Sequence, residues 1–300
     1  LLADPQISGF ETGAMRIWRI AERCGPAAPA DILLPGIEPD LVTRNEGWLA
    51  PDHLDPASRL LVISIHSWLM EIDGRVILVD ACVGNDKDRQ RPETSEFHRW
   101  QTDYVDQLAR AGFTPDDVDA VMCTHLHVDH CGWNTRLDNG RWVPTFRNAD
   151  YFFARRELDF WEEMANAGTD HPNQEVFSDS VLPILEAGLA RPFEGQFDIA
   201  RGLVAEPAPG HTPGHAILRA RGGTECVFSG DVMHHVLQVH DPDLNSCFCE
   251  EPERARRTRR ELLEDMADRD ALLLPAHFGA PHMGRVISSG DGFAFDFGAP

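Results

Sequence analysis

Short apolar runs alternate with polar, glycine- or proline-rich breaks along this chain, and the period of the apolar positions assigns the elements. Met15-Arg16-Ile17-Trp18-Arg19-Ile20 alternates residue by residue, as a half-buried strand does. Leu60 to Ile72 is a long apolar strand candidate interrupted by Ser64, His66 and Ser67. Asp73-Gly74 then signals a hairpin, and Arg75-Val76-Ile77-Leu78-Val79-Asp80 returns as the second strand. From Phe97 to Ala111 the spacing becomes helical, with Trp100, Tyr104, Leu108 and Ala111 on one face and Gly112 as the stop. Val118 to Cys123 and Tyr151 to Ala154 are short strands. Arg155 to Ala167 is an amphipathic helix with Leu158, Trp161 and Met164 inward, and Asp179 to Leu189 is another helix. Strands follow at Gly202 to Glu206, Ala216 to Ala220 and Glu225 to Ser229, then a charged helix from Pro252 to Asp268 and a buried strand from Ala271.

Pro26, Pro29, Pro35, Pro39, Pro51 and Pro56 break the stretch before Leu60 into an extended arm with short helices. We therefore divide the chain into an N-terminal arm with a first strand, residues 1–58, and a main domain, residues 59–300. The arm either covers the mouth of a site or packs on a second copy of the chain in a homodimer. Strand runs at both ends, with helices between them, predict an α+β fold of two sheets sandwiched by helices.

Composition narrows the function classes. With 42% hydrophobic residues in 300, a buried core is easily supplied. A formal charge of -22 argues against DNA, RNA and anionic membrane surfaces, each of which needs a basic footprint, and favours a small uncharged organic substrate. No apolar run reaches the length of a membrane span. Leu1-Leu2-Ala3-Asp4-Pro5 lacks the basic then apolar pattern of a signal peptide. The seven cysteines form no CxxC pair, so a reducing, cytoplasmic setting is expected. Arg254, Arg256, Arg257, Arg259 and Arg260 are expected to form a solvated helix face rather than an anion site.

The chemistry concentrates in Thr124-His125-Leu126-His127-Val128-Asp129-His130-Cys131-Gly132-Trp133, directly after a strand. On an extended segment His125 and His127 share a face, while Asp129 and His130 fall beyond it and address a second position. Three further strand ends deliver His211, Asp231 and His277. Imidazole nitrogen and carboxylate oxygen are the donors that Zn²⁺ and similar divalent ions take. Asp80, at the end of a buried strand, needs backbone donors or a partner. His215 is expected to stabilise the His211 loop, whereas His234 and His235 fit either a pocket wall or a helix start. Trp48, His66, Trp68, Trp133, His234 and Phe278 are candidate substrate-binding residues lining an apolar pocket.

Taken together, the HxHxDH run, the lone His211, Asp231 and His277, and the early Asp80 resemble the metallo-β-lactamase-fold metallo-hydrolase superfamily, over roughly Arg59 to His277. The resemblance implies a four-layer αββα sandwich and a dinuclear site holding two Zn²⁺ or similar divalent ions. One ion would be held by His125, His127 and His211, and the other by Asp129, His130 and His277, with Asp231 bridging. It further implies hydrolysis by a metal-bound hydroxide, with Asp129 or Asp231 accepting or relaying the proton. The best-known zinc β-lactamases carry cysteine where this chain has Asp231, which disfavours β-lactam hydrolysis. A nuclease domain and a glutathione-recognising basic tail are likewise not evident. What remains is similar to the lactonase and methyl parathion hydrolase-like branch. A lactone or ester is the expected substrate, with a chlorinated aromatic or a phosphotriester as the alternative at the same site. A di-iron redox protein is the alternative of a different class.

Overall fold

The computed structural model describes residues 9–168, 171, 173–267 and 269–298. Leu1–Pro5, read above for a signal peptide, and the helix-terminal Asp268 lie outside the described residues. The strands in chain order are β1 Gly9–Thr12, β2 Met15–Ala28, β3 Leu61–Ile72, β4 Arg75–Val79, β5 Ala120–Met122, β6 Thr135–Asp138, β7 Arg141–Pro144 and β8 Asp150–Ala154. They continue with β9 Ala190–Phe193, β10 Phe197–Ala200, β11 Leu203–Pro207, β12 Ala216–Ala220, β13 Glu225–Gly230, β14 Ala271–Pro275, β15 Arg285–Ser289 and β16 Gly292–Asp296. The helices are α1 Ala30–Leu33, α2 Pro39–Leu49, α3 Tyr104–Arg110, α4 Arg155–Ala167, α5 Gln174–Val176, α6 Leu182–Glu186, α7 Leu237–His240 and α8 Pro252–Ala267.

Among the described residues, seven strands form one sheet in the order β1-β2-β3-β4-β5-β8-β9, and five form a second in the order β10-β11-β12-β13-β14. The period of two in the strands sorts their side chains between layers. On β4, Val76 and Leu78 face one cluster with Tyr104, Leu108, Leu158 and Trp161 of the helices α3 and α4. Ile77 and Val79 face the other way, into a core shared with Leu203, Leu218, Phe228, Leu272 and Leu274 of the second sheet. That sheet's outer face, with Val227 and Leu273, packs on Leu262, Leu263 and Met266 of α8. Three apolar interfaces therefore separate four layers, helix–sheet–sheet–helix, as expected.

Several boundaries moved. The first strand runs to Ala28 rather than Ile20 and pairs with β3 from Arg16↔Glu71 to Ala28↔Leu61. Residues 15–28 are thus an interior strand of the larger sheet. The helix expected from Phe97 starts at Tyr104 instead. Its first turns are pulled away because Thr102 donates its N–H to Asn85 Oδ1 (2.8 Å) and its hydroxyl to Glu22 Oε1 (3.1 Å). The helix expected from Asp179 begins at Gln174 and carries a π turn at Phe177–Val181. Here Asp179 takes a bidentate pair from the buried Arg89, and the chain's single lysine, Lys87, bonds the Asp179 carbonyl at 3.1 Å. The arginine face of α8 is also not wholly solvated. Arg259 is fully buried and donates to the carbonyls of Val232, Pro242 and Leu244, pinning the segment that follows Asp231.

The Asp73-Gly74 hairpin forms as expected, with both residues at positive φ (48° and 74°). No helix among the described residues is long and apolar enough to cross a membrane.

Candidate metal centre

Five chain segments reach one edge of the two sheets: Asp80 after β4, residues 124–130 after β5, residues 208–215 between β11 and β12, Asp231 after β13, and His277 after β14. Strand β5 ends at Met122, so His125 and His127 stand on an extended loop rather than on the strand. They still share a position. His211 Nε2 lies 3.1 Å from His125 Nε2 and 2.9 Å from His127 Nδ1. His130 Nε2 and His277 Nε2 face each other at 3.2 Å, and each lies 3.6 Å from an oxygen of Asp129. Asp231 stands between the groups. Its Oδ2 is 3.3 Å from His211 Nε2, and its Oδ1 is 3.3 Å from His130 Nε2 and 3.1 Å from His277 Nε2. The geometry thus forms two donor groups, His125/His127/His211/Asp231 and Asp129/His130/His277.

Whether cations suit these groups is decided by the protons. The Asp80 carboxylate accepts from the Thr124 N–H (2.7 Å), from the Thr124 hydroxyl and from His130 Nδ1 (2.9 Å). Because the hydroxyl hydrogen is committed to Asp80, Thr124 Oγ1 accepts from His125 Nδ1 at 3.1 Å. His277 Nδ1 donates to the Ser64 carbonyl at 2.8 Å. These outer bonds commit the Nδ1 atoms of His125, His130 and His277 and point their Nε2 atoms inward. Inward nitrogens beside the Asp129 and Asp231 carboxylates call for positive charge among them, which a metal ion supplies in place of the protons that the carboxylates otherwise hold on His130 and His277. Asp231 Oδ1 is in addition buried with no hydrogen-bond donor. Both observations fit a pair of divalent ions.

Burial pushes His125 and His211 well below the usual imidazole range and His127 down to about 4, so all three are neutral donors at pH 7. His130 behaves oppositely. Burial pushes it down too, but the carboxylates of Asp231, Asp129 and Asp80 outweigh this and raise it well above 6.5. Asp231 resists the upward push of burial because the imidazoles of His130, His277, His234 and His125 surround it, and its carboxyl is held well below the ordinary range.

Two neighbours are structural. His215 Nε2 accepts the Asp231 N–H at 3.0 Å and so aims that carboxylate. Gly230, at φ +48°, has no room for a side chain, since a Cβ would stand 2.6 Å from Thr124 Oγ1 and 2.7 Å from His215 Nε2. Glu157, near the start of α4, went unnoticed in the sequence. Its weak signal there is a carboxylate on the inward face of an amphipathic helix, four residues before Trp161.

Four of the donors, His127, Asp129, Asp231 and His277, floor a cavity of about 570 Å³. Its walls include Ala27, Ala28, Leu33, Ile63, Ile65, Phe97 and Phe248, with Glu93, Glu96 and Glu250 among the polar groups. The arm therefore builds part of the wall. Of the residues expected to line a substrate pocket, His234 does so, with Nε2 3.1 Å from Asp231 Oδ2. The others need correction. Trp48 packs on His240 and Phe297, and Phe278 on Phe295. Trp68 is in the inter-sheet core with its N–H on the Pro275 carbonyl, and His66 is buried against it. Trp133 stacks on Tyr104 and donates to Glu22. Each aromatic found a core partner, which is the common fate of large apolar side chains. His235 is also away from the cavity, holding the His53 carbonyl at 2.9 Å.

Comparison with known proteins agrees with this fold. The family model described as "Metallo-beta-lactamase superfamily" matches residues 61–277. An N-acyl homoserine lactonase of a Bacillus species is 27% identical over 172 residues, covering 53% of this chain and 59% of that protein. N-acyl homoserine lactonase AiiB of Agrobacterium fabrum is 22% identical over 166 residues, covering 52% and 54%. The chain thus spans little more than half the length of the curated relatives it matches. Among solved structures, the hydrolase AbOPH of the beta lactamase superfamily superposes with a TM-score of 0.79 at 23% identity, covering 97% of this chain and 96% of that one. The dizinc quorum-quenching lactonase AidC superposes with a TM-score of 0.79 at 19% identity, covering 98% and 97%.

Proposed function

The chain belongs to the metallo-beta-lactamase superfamily, and from that premise we propose that it is a two-metal hydrolase that opens a small, neutral lactone or ester. The observation that carries the reading is the convergence of His125, His127, His211 and of Asp129, His130, His277 on the shared Asp231, at the floor of a largely apolar cavity. When bound, two divalent ions such as Zn²⁺ would polarise the substrate's carbonyl oxygen and lower the pKa of the attacking water.

The protein's own groups do the rest. Asp129 is the donor-set carboxylate with solvent access (19% against 3% for Asp231) and is placed to accept the proton of the attacking water. Asp231 spans both donor groups and holds them at a fixed separation, with His215 and His234 fixing its orientation. After water adds to the carbonyl carbon, the ring or ester C–O bond breaks and the departing oxygen takes up a proton. Leu33, Ile63, Ile65 and Phe248 offer apolar surface to an alkyl or aryl arm. Glu93, Glu250 and a net charge of -22 disfavour an anionic substrate. The lactonase names of the curated relatives support a lactone over other esters. The burial of Cys82, Cys123, Cys131 and Cys226 as small apolar side chains, with no CxxC pair in the sequence, is compatible with the reducing, cytoplasmic setting that we propose.

The test is turnover of a lactone panel, a phosphotriester and a chlorinated aromatic nitrile by metal-loaded protein, with metal analysis alongside. Hydrolysis of lactones with bound zinc is expected. Turnover confined to the phosphotriester or the nitrile would move the substrate class while keeping the site. Two irons and no zinc would end the hydrolase reading.

A further inference from the structure

His125, His130 and His277 are oriented through their outer nitrogens by Thr124 Oγ1, Asp80 and the Ser64 carbonyl. Among the described residues, His127 and His211 have no such oxygen partner. The outer nitrogen of His211 faces only Cys249 Sγ, at 3.9 Å, a weak acceptor. Beyond ring contacts of His127 with Trp161 and of His211 with His234, these two side chains depend for their placement on the backbone of the loops that carry them.

Both loops meet on one buried carboxylate. Glu157 is 1% exposed. Its Oε1 accepts the Leu126 N–H (3.0 Å) and the Trp161 indole N–H (2.7 Å). Its Oε2 accepts the Thr212 hydroxyl (2.7 Å) and the Gly214 N–H (3.0 Å). Leu126 lies between His125 and His127, and Thr212 follows His211 directly. Four donors fill the lone-pair capacity of a carboxylate. The approach is close enough that a Cβ on Gly214 would stand 2.2 Å from the Glu157 nitrogen. A carboxylate in the first turn of α4 is also favoured by the helix dipole.

We propose that Glu157 is a positioning residue that sets the spacing of His127 and His211, and thereby the affinity of the His125/His127/His211 group for its ion. The inference rests on the two-metal reading of the site. Glu157 touches none of the ligand side chains and acts through peptide N–H groups and one hydroxyl. Replacement by glutamine preserves the shape but turns one acceptor oxygen into a donor, so at least one loop loses its anchor.

The experiment is metal uptake and release by wild type, Glu157→Gln and Thr212→Val, using zinc in a metal buffer and a colorimetric chelator, with circular dichroism to verify folding. Wild type is expected to hold two ions. Glu157→Gln should bind one of them about 10–100-fold more weakly and the other unchanged, and Thr212→Val should show a smaller loss of that same ion. Adding His277→Ala to Glu157→Gln should then abolish retention of the remaining ion, which identifies it. If Glu157→Gln does not fold, Thr212→Val carries the test alone. Wild-type release kinetics in the folded variants, or equal weakening of both ions, would overturn the proposal. A wild type that takes up no metal would overturn the two-metal reading itself, and this inference with it.

Discussion

The two donor groups are built differently although they share Asp231. In the Asp129/His130/His277 group, both imidazoles donate directly to strong oxygen acceptors, Asp80 at 2.9 Å and the Ser64 carbonyl at 2.8 Å. In the His125/His127/His211 group, among the described residues, only His125 has an oxygen partner on its outer nitrogen, and the loops are tied to Glu157 instead. A directly bonded ring is fixed in tautomer and torsion, whereas a ring on an anchored loop keeps freedom about its own side-chain bonds. The first arrangement gives rigidity. The second leaves one side of the centre able to adjust beside the cavity.

Removing a donor should show this most strongly. His127→Ala is expected to lose the ion of its own group and to lower hydrolysis by more than about 100-fold, beyond the 10–100-fold typical of losing an outer partner. Elemental analysis with a rate assay checks it, and full metal content with full activity would contradict the ligand assignment. Asp80→Asn comes next. Because Asp80 orients His130 directly and His125 through Thr124, both ions should weaken, by about 10–100-fold. Weakening confined to one ion would show that the relay through Thr124 carries little.

Buried histidines outside both groups sharpen the contrast by titration. Burial pushes His53 down to about 3 and His235 and His282 down to about 4. The unfolded chain gains protons on them below about pH 6.5 while the folded chain does not, so stability is full above 6.5 and falls as pH drops toward 4. The loss is on the order of 1 kcal/mol per group per pH unit. Urea midpoints at pH 7 and pH 5 measure it, and equal midpoints would refute it. Gly230→Ala, which crowds Thr124 and His215 at a positive φ, should cost about 1–3 kcal/mol and lower the melting temperature. Phe248→Ala is the mildest. Phe248 is 53% exposed on the cavity wall, so its loss should raise KM for a long-armed substrate roughly fivefold, about 1 kcal/mol, with metal content unchanged.

Residue type and spacing picked out the two groups of candidate metal donors that the fold brings together. Clustered imidazoles and strand-end carboxylates have few structural uses, and each apolar run before them reads as a buried strand. The strands themselves were legible for the same reason, since β3 and β4 lie between the α3/α4-side core and the inter-sheet core, and β14 between the inter-sheet core and the α8-side core, with apolar residues on both faces. The pocket was not. Trp48, Trp68, Trp133 and Phe278 carry no mark that separates a wall from a core, and all four found core partners. Nor could the sequence show that β2 continues to Ala28, because its second half contains Gly25 and Pro26, which read as a break, and is held by pairing with β3.

The chain's local chemistry, its periodicity and donor types, thus determined the layers and the donors, because both depend on short-range pattern. Only the tertiary structure decided which carboxylate anchors which loop. Glu157 stands far along the chain from Leu126 and Thr212, and its place on the inward face of α4 marks it as buried without saying which donors it collects. Its role exists because a buried carboxylate must collect its donors from whatever the fold brings beside it, and here that is the backbone of the two loops bearing His127 and His211.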